Sequence, residues 1–133
     1  MKYLGIDYGS KRVGVSLSDQ DGKIAFPRGE IGNDVKLIPS LVTVIEKEKV
    51  GHVVVGDTLS SGGRENKVTE EARAFVGRLA QAIQVPIEYT SEMWSSVEAS
   101  RYAPKGEEHN DAAAATIILQ RYLDIRFGRT AIE

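Results

Sequence analysis

Four acidic residues, Asp7, Asp57, Glu92 and Asp111, stand where a folded chain can put a carboxylate to chemical use. Asp7 closes the run Tyr3-Leu4-Gly5-Ile6, which reads as a buried strand; Asp57 and Glu92 follow two further strand-like runs, and Asp111 opens a helix. A carboxylate at the end of a buried strand is costly unless it is paired or binds a metal. Several carboxylates converging on one spot repel one another unless a hard divalent cation sits among them, and Mg²⁺ and Mn²⁺ prefer oxygen ligands and keep some of their waters. A pair of such ions can activate a water and stabilise the leaving oxygen of a phosphodiester. The plainer account also stands: Asp forms turns at strand ends, and the helix dipole favours Asp in a first helical turn.

The neighbours of these acids suit a phosphate backbone. Gly9 and Ser10 leave room for close approach to the main chain, and Lys11 and Arg12 project from the same turn. Arg64, Lys67, Arg101 and Lys105 fall in loops or helix starts and complete a possible phosphate-contacting rim, although surface Lys and Arg occur on every soluble protein. Tyr8 and Trp94 can stack on bases or pack in the core. His52 begins a buried strand and reads as a satisfied core histidine, whereas His109, near Asp111, can assist proton transfer. No cysteine is present, which excludes disulfides, thiolate metal sites and cysteine nucleophiles. No Ser/His/Asp arrangement and no Walker-type glycine loop can be argued.

The elements that must position these groups follow from the patterning. Two strands flank the Gly9–Arg12 turn, with Val13, Val15 and Leu17 on one face of the second and Gly14, Ser16 and Ser18 leaving the other nearly bare. Asp21-Gly22 signals a hairpin into a third strand, Lys23 to Ile31, which Pro27 marks as an edge. Asn33 can cap a helix with Leu37, Ile38, Leu41, Val44 and Ile45 on one stripe, and Pro39 either kinks that helix or marks its start. Val50 to Val55 reads as a buried strand, 56–64 as a small-residue loop, and Val68 to Ile83 as an amphipathic helix. Val85 to Tyr89 reads as a fifth strand. Ser95 with Glu98 has capping-box spacing for a third helix; 103–109 is a polar loop, and Asn110 caps a last helix that Gly128 stops. The order β-β-β-α-β-α-β-α-α predicts an α/β fold: three antiparallel strands, then two parallel strands reached through crossovers, in one five-stranded mixed sheet flanked by helices. The first strand and both crossover strands are expected centrally, with the crevice at their ends.

At 133 residues the chain is expected to form one domain, residues 1–133, with a core large enough to need no staples. With 17 basic and 19 acidic residues the net charge is −2, which argues against a bulk electrostatic nucleic-acid binder while leaving room for a local basic rim. No run approaches transmembrane length and no basic-then-apolar leader is seen, so no membrane partner and a cytosolic location are the expectation.

Taken together, the blocks are similar to a known family. Gly5-Ile6-Asp7-Tyr8-Gly9 with Lys11-Arg12-Val13-Gly14-Val15-Ser16 resembles the opening of the YqgF family, also called RuvX. Val53-Val54-Val55-Gly56, Glu92 with Ser95-Ser96-Val97-Glu98-Ala99, and Asn110-Asp111-Ala112-Ala113-Ala114-Ala115 with Ile118-Leu119-Gln120-Arg121-Tyr122-Leu123 resemble its later blocks in order. The resemblance spans essentially the whole chain; its first block alone is also shared with the actin/hexokinase-like phosphotransferase fold. It implies a ribonuclease-H-like fold and a nuclease, dependent on Mg²⁺ or Mn²⁺, acting on structured nucleic acid. The family is linked to processing the precursor end of small-subunit rRNA and, by older analogy, to resolving Holliday junctions. The family's acids fall on Asp7, Glu92 and Asp111.

Two departures from the family pattern stand out. Ser91-Glu92-Met93 replaces the usual Asp-Glu-Arg, and Asp57-Thr58 replaces Leu-Pro. Asp57 is therefore a candidate to supplement or replace a ligand near Glu92. The readings that compete with a nuclease are a non-catalytic nucleic-acid or protein-binding module, which the altered Ser91-Glu92-Met93 segment favours, and an ATP-dependent phosphotransferase, which needs two lobes where this length supplies one. RNA against DNA, and monomer against homodimer, stay open; a resolvase that cuts two strands symmetrically calls for a two-fold dimer.

Overall fold

In the computed structural model of the chain, residues 1–57, 67–91 and 111–128 are described. β1 (Lys2–Asp7), β2 (Arg12–Ser18) and β3 (Ala25–Gly32) form an antiparallel meander. α1 (Leu37–Glu48) leads to β4 (Val50–Asp57), which lies parallel to β1. α2 (Lys67–Ala82) leads to β5 (Ile87–Ser91), parallel to β4, and α3 (Asp111–Arg126) is the last described helix. The sheet has the order β3-β2-β1-β4-β5, the mixed five-stranded arrangement expected. One expectation is corrected: β5 is not central but the second edge among the described residues. It has only five residues, with the half-exposed Glu88 on one face, as suits a short and charged edge. The helix expected from Ser95, the 103–109 loop and the Asn110 cap lie outside the described residues.

Each face of the sheet has its own core. Leu4, Ile6, Tyr8, Val13, Val15, Val53 and Val55 are buried against Leu37, Leu41 and Ile45 of α1 and Ala72, Phe75 and Leu79 of α2. Fully burying one such side chain contributes roughly 1.5–3 kcal/mol. On the other face Tyr3, Ala25 and Val54 pack against Ile118, Leu119, Tyr122 and Leu123 of α3. The bare face of β2 is the seat of that helix. Ser16 Oγ donates to the Ala115 carbonyl at 2.8 Å, and Ser18 Oγ accepts the Tyr3 N–H at 2.8 Å. A methyl group on Gly5 would strike Ser16 Oγ and lie 2.8 Å from Leu119 Cβ and 3.0 Å from the Ala115 oxygen. Glycine is therefore what lets α3 lie this close.

The connections show where local pattern misled. Asp19 Oδ1 accepts the Lys23 and Ile24 N–H groups at 2.7 and 3.2 Å, which holds its carboxyl below the usual range and delays β3 to Ala25. Pro27 lies on an edge strand, as expected, beside a register shift that Gly29 absorbs with φ 139°. Asn33 does not cap α1. The N-cap is Lys36, without a side-chain cap, while Asp34 Oδ1 accepts the Lys36 N–H at 2.8 Å. Pro39 sits in the first turn, where an N–H has no helical partner to lose. β4 and β5 run on to Asp57 and Ser91, beyond the apolar runs, because parallel pairing continues through Gly56↔Thr90 and Asp57↔Ser91. Gly128, at φ 71°, stops α3 as expected. Among the described residues no helix is long and apolar enough to cross a membrane.

Candidate active site

Asp7 is the last residue of β1 and is half-buried. It shares a face with Gly5 and Tyr3, so it lies on the α3 side of the sheet. Its partner across the ladder is Gly14, which brings no side chain to that spot. The path of α3 then settles what stands over it. Tyr122 packs on Tyr3 with centroids 6.0 Å apart, and Ala115 and Leu119 cover Gly5, so α3 runs antiparallel to β1. From Gly5 to Asp7 the strand advances about 7 Å. From Ala115 back to Asp111 the helix advances about 6 Å. The first residue of α3 therefore reaches the end of the sheet that carries Asp7.

Asp57 ends β4, the parallel neighbour of β1. Register Ile6↔Val55 brings the ends of both strands to the same edge. Three sequence-distant positions bearing Asp, 7, 57 and 111, thus meet at one end of the fold. Aspartate is the residue type whose oxygens suit a hard divalent cation. Glycines at 9 and 14 keep the neighbourhood free of bulk. Glu92 lies outside the described residues, as do Arg64, Trp94, Arg101, Lys105 and His109. Among the described residues no three His, Cys, Asp or Glu side chains form a metal-holding group.

The turn from Gly9 to Arg12 leaves the same end of β1. Ser10, Lys11 and Arg12 are exposed, as a phosphate-contacting element requires. Arg12 Nε lies 3.7 Å from Glu30 Oε2, an exposed pair of the kind that contributes little. Gly9 has no room for a side chain, since an added Cβ would strike the Arg12 carbonyl. The residue the sequence reading missed is Asn33, whose Nδ2 donates to the Gly9 carbonyl at 2.8 Å and whose N–H donates to the Lys11 carbonyl at 3.0 Å. Tyr8 is buried, 5.1 Å from the Phe75 ring, so it packs in the core and does not stack on bases. Lys67 is the first residue of α2.

A second polar cluster lies at the opposite end of the strands. Tyr122 donates its hydroxyl to Glu88 Oε1 at 2.9 Å; His52 Nε2 lies 3.2 Å from the same oxygen and 3.3 Å from the Tyr122 oxygen. The His52 ring stacks on Tyr122 at 5.8 Å and leans on Tyr3 at 5.4 Å. Burial, and then the hydrogen bond to Glu88, push the Tyr122 phenol up to about 12. His52 is the satisfied core histidine the sequence suggested.

The sequence model of the RuvX family, described as Holliday junction resolvase, matches residues 1–125. A protein of Oleidesulfovibrio alaskensis named "Putative pre-16S rRNA nuclease" is 37% identical over 134 residues, covering 94% of this chain and 93% of the relative. A protein of the same name from Nitratidesulfovibrio vulgaris is 39% identical over 134 residues, covering 94% of each. Among solved structures, T. thermophilus RuvC in complex with a Holliday junction substrate superposes with a TM-score of 0.64 at 15% identity over 96% of both chains. At that identity the likeness is one of fold, the RuvC-like, ribonuclease-H-like sheet.

Proposed function

This chain belongs to the RuvX family, and from that premise we propose that it is a divalent-metal-dependent nuclease processing the 5′ end of pre-16S rRNA in the cytosol. The observation that carries the reading is the antiparallel run of α3 over β1, which brings the start of the helix bearing Asp111 to the β1 end bearing Asp7. In this reading Asp7, Glu92 and Asp111 hold Mg²⁺ or Mn²⁺, with Asp57 supplementing the set beside the altered Ser91-Glu92-Met93 segment. The bound ion would supply Lewis acidity and an activated water. Gly9 and Ser10 admit the phosphate backbone, while Lys11, Arg12, Arg64 and Lys67 fix its register. The names of the relatives support the rRNA substrate, and the family description supports a second, a four-way DNA junction.

The test is incubation of the purified protein with a pre-16S 5′-leader RNA and with a four-way junction, in Mg²⁺, in Mn²⁺ and in chelator. Metal-dependent cleavage of the leader is expected. Binding without cleavage under every condition would instead make this a non-catalytic module. Oligomeric state measured with and without the junction separates the substrates, since symmetric resolution requires a dimer. Asp57→Asn is expected to lower Mn²⁺-dependent cleavage less than Glu92→Gln does, and full activity in Asp57→Asn would remove Asp57 from the site.

A further inference from the structure

The turn beside Asp7 is held from another element. Asn33 stands one residue beyond Gly32, which pairs with Arg12 across β2 and β3. From there it bonds both the Gly9 and the Lys11 carbonyls, at 2.8 and 3.0 Å. Both carbonyls consequently point toward Asn33. No described peptide bond is cis, and in a trans peptide the C=O and N–H of one plane point in opposite directions. The Ser10 N–H shares its plane with the Gly9 carbonyl and is therefore directed to the side away from Asn33. Lys11, exposed, follows directly. Capping duty does not explain Asn33, because Asp34 takes the Lys36 N–H at the start of α1.

We propose that Asn33 is a positioning residue that aims the Ser10 amide at a substrate phosphate neighbouring the one that is cleaved. This rests on the nuclease reading and adds to it how the chain sets substrate register. A backbone N–H oriented in a turn is a good anion donor, and phosphate contacts of this kind fix position without reading sequence. The bond to Gly9 fixes the peptide plane that carries the donor. Weakening it leaves the Asp7 carboxylate in place and loosens only what holds the strand beside it.

The test compares wild type with Asn33→Asp, nearly isosteric but unable to donate to Gly9 when ionised, and with Asn33→Ala. Both keep the main-chain bond to Lys11. KM for the leader RNA is expected to rise about tenfold in each variant, the equivalent of one lost hydrogen bond, while kcat stays within about twofold, since only binding in ground and transition state alike is removed. In ¹⁵N spectra recorded without divalent ion, the Ser10 amide is expected to shift on adding the RNA in wild type and to shift far less in the variants. An unchanged KM, or a fall in kcat at unchanged KM, would overturn the proposal. If neither variant folds, the wild-type Ser10 resonance decides, and its indifference to RNA is the overturning result. The nuclease reading fails separately: RNA that moves Ser10 yet is never cut contradicts the nuclease and leaves the role of Asn33 in binding intact.

Discussion

The two ends of the central strands, roofed by the same helix, make opposite use of polar residues. At the end where the strands start, Tyr3, His52, Glu88 and Tyr122 form a tight cluster, in which the Tyr122 hydroxyl, His52 Nε2 and Glu88 Oε1 lie 2.9–3.3 Å from one another. At the other end the side chains shrink to Gly9, Gly14, Ala112 and Ala115, and the acidic positions 7, 57 and 111 gather. A Tyr-His-Glu trio resembles catalytic machinery on paper. Here it closes on itself under α3, and its polarity is structural. The opposite end brings three acidic positions among small residues, the residue type and the free space that a hard cation calls for. Chemistry-bearing residues are therefore read by what they are turned toward.

The comparison breaks most sharply if Asp7 is dispensable. Asp7→Asn is expected to lower metal-dependent cleavage about a thousandfold or more, since a metal-held phosphoryl centre supplies several kcal/mol. Its thermal stability is expected to stay level or rise, as at a position kept for activity rather than for stability. Rate assays and a melting curve on one sample check both. A large loss of stability would assign Asp7 to the structural end's logic.

Next in size is Gly5→Ala, which lies between the two ends. The added methyl meets Ser16 Oγ, Leu119 Cβ and the Ala115 carbonyl, so α3 must lift, at about 1–3 kcal/mol as in other overpacked cores. Urea unfolding would measure that cost. Because α3 carries Asp111, cleavage should fall even where the variant remains folded, so the packing step links both ends.

The smallest effect sharpens the contrast from the other side. Tyr122→Phe removes the hydroxyl that bonds Glu88 and should cost about 1 kcal/mol with cleavage unchanged. The phenol is raised from 10.0 to about 12 in the folded chain, so the folded state holds that proton more tightly than the unfolded state. The stability this contributes is full below pH 10 and is lost as pH rises through about 12. The difference in unfolding free energy between wild type and Tyr122→Phe should therefore be flat at neutral pH and shrink across that window.

Much of this was legible in the chain itself, and the exceptions have physical reasons. Strand alternation marked Asp7, and Pro27 marked the edge strand, because both signals are local. The bare Gly14-Ser16-Ser18 face looked empty since its partner, α3, lies nearly a hundred residues away (Ser16 to Ala115 is a separation of 99). Asn33 looks locally like a helix cap because Asn serves caps and turns with the same amide; only the fold, which brings the Gly9 carbonyl within 2.8 Å, chooses between them. The ends of β4 and β5 extended past their apolar runs because ladder pairing, not side-chain character, sets where strands stop. Tyr8 carries the same ring whether it meets a base or Phe75, and its parity with Ile6 turned it inward. That parity was available in the sequence.

The claim on which the account turns is that Asp7 and Asp111 share a divalent ion. Crystals soaked in Mn²⁺ test it directly by anomalous scattering. The account predicts a peak bridging the two carboxylates in wild type and none there in Asp7→Asn; a saturated crystal with Mn²⁺ bound elsewhere, or not at all, would contradict it.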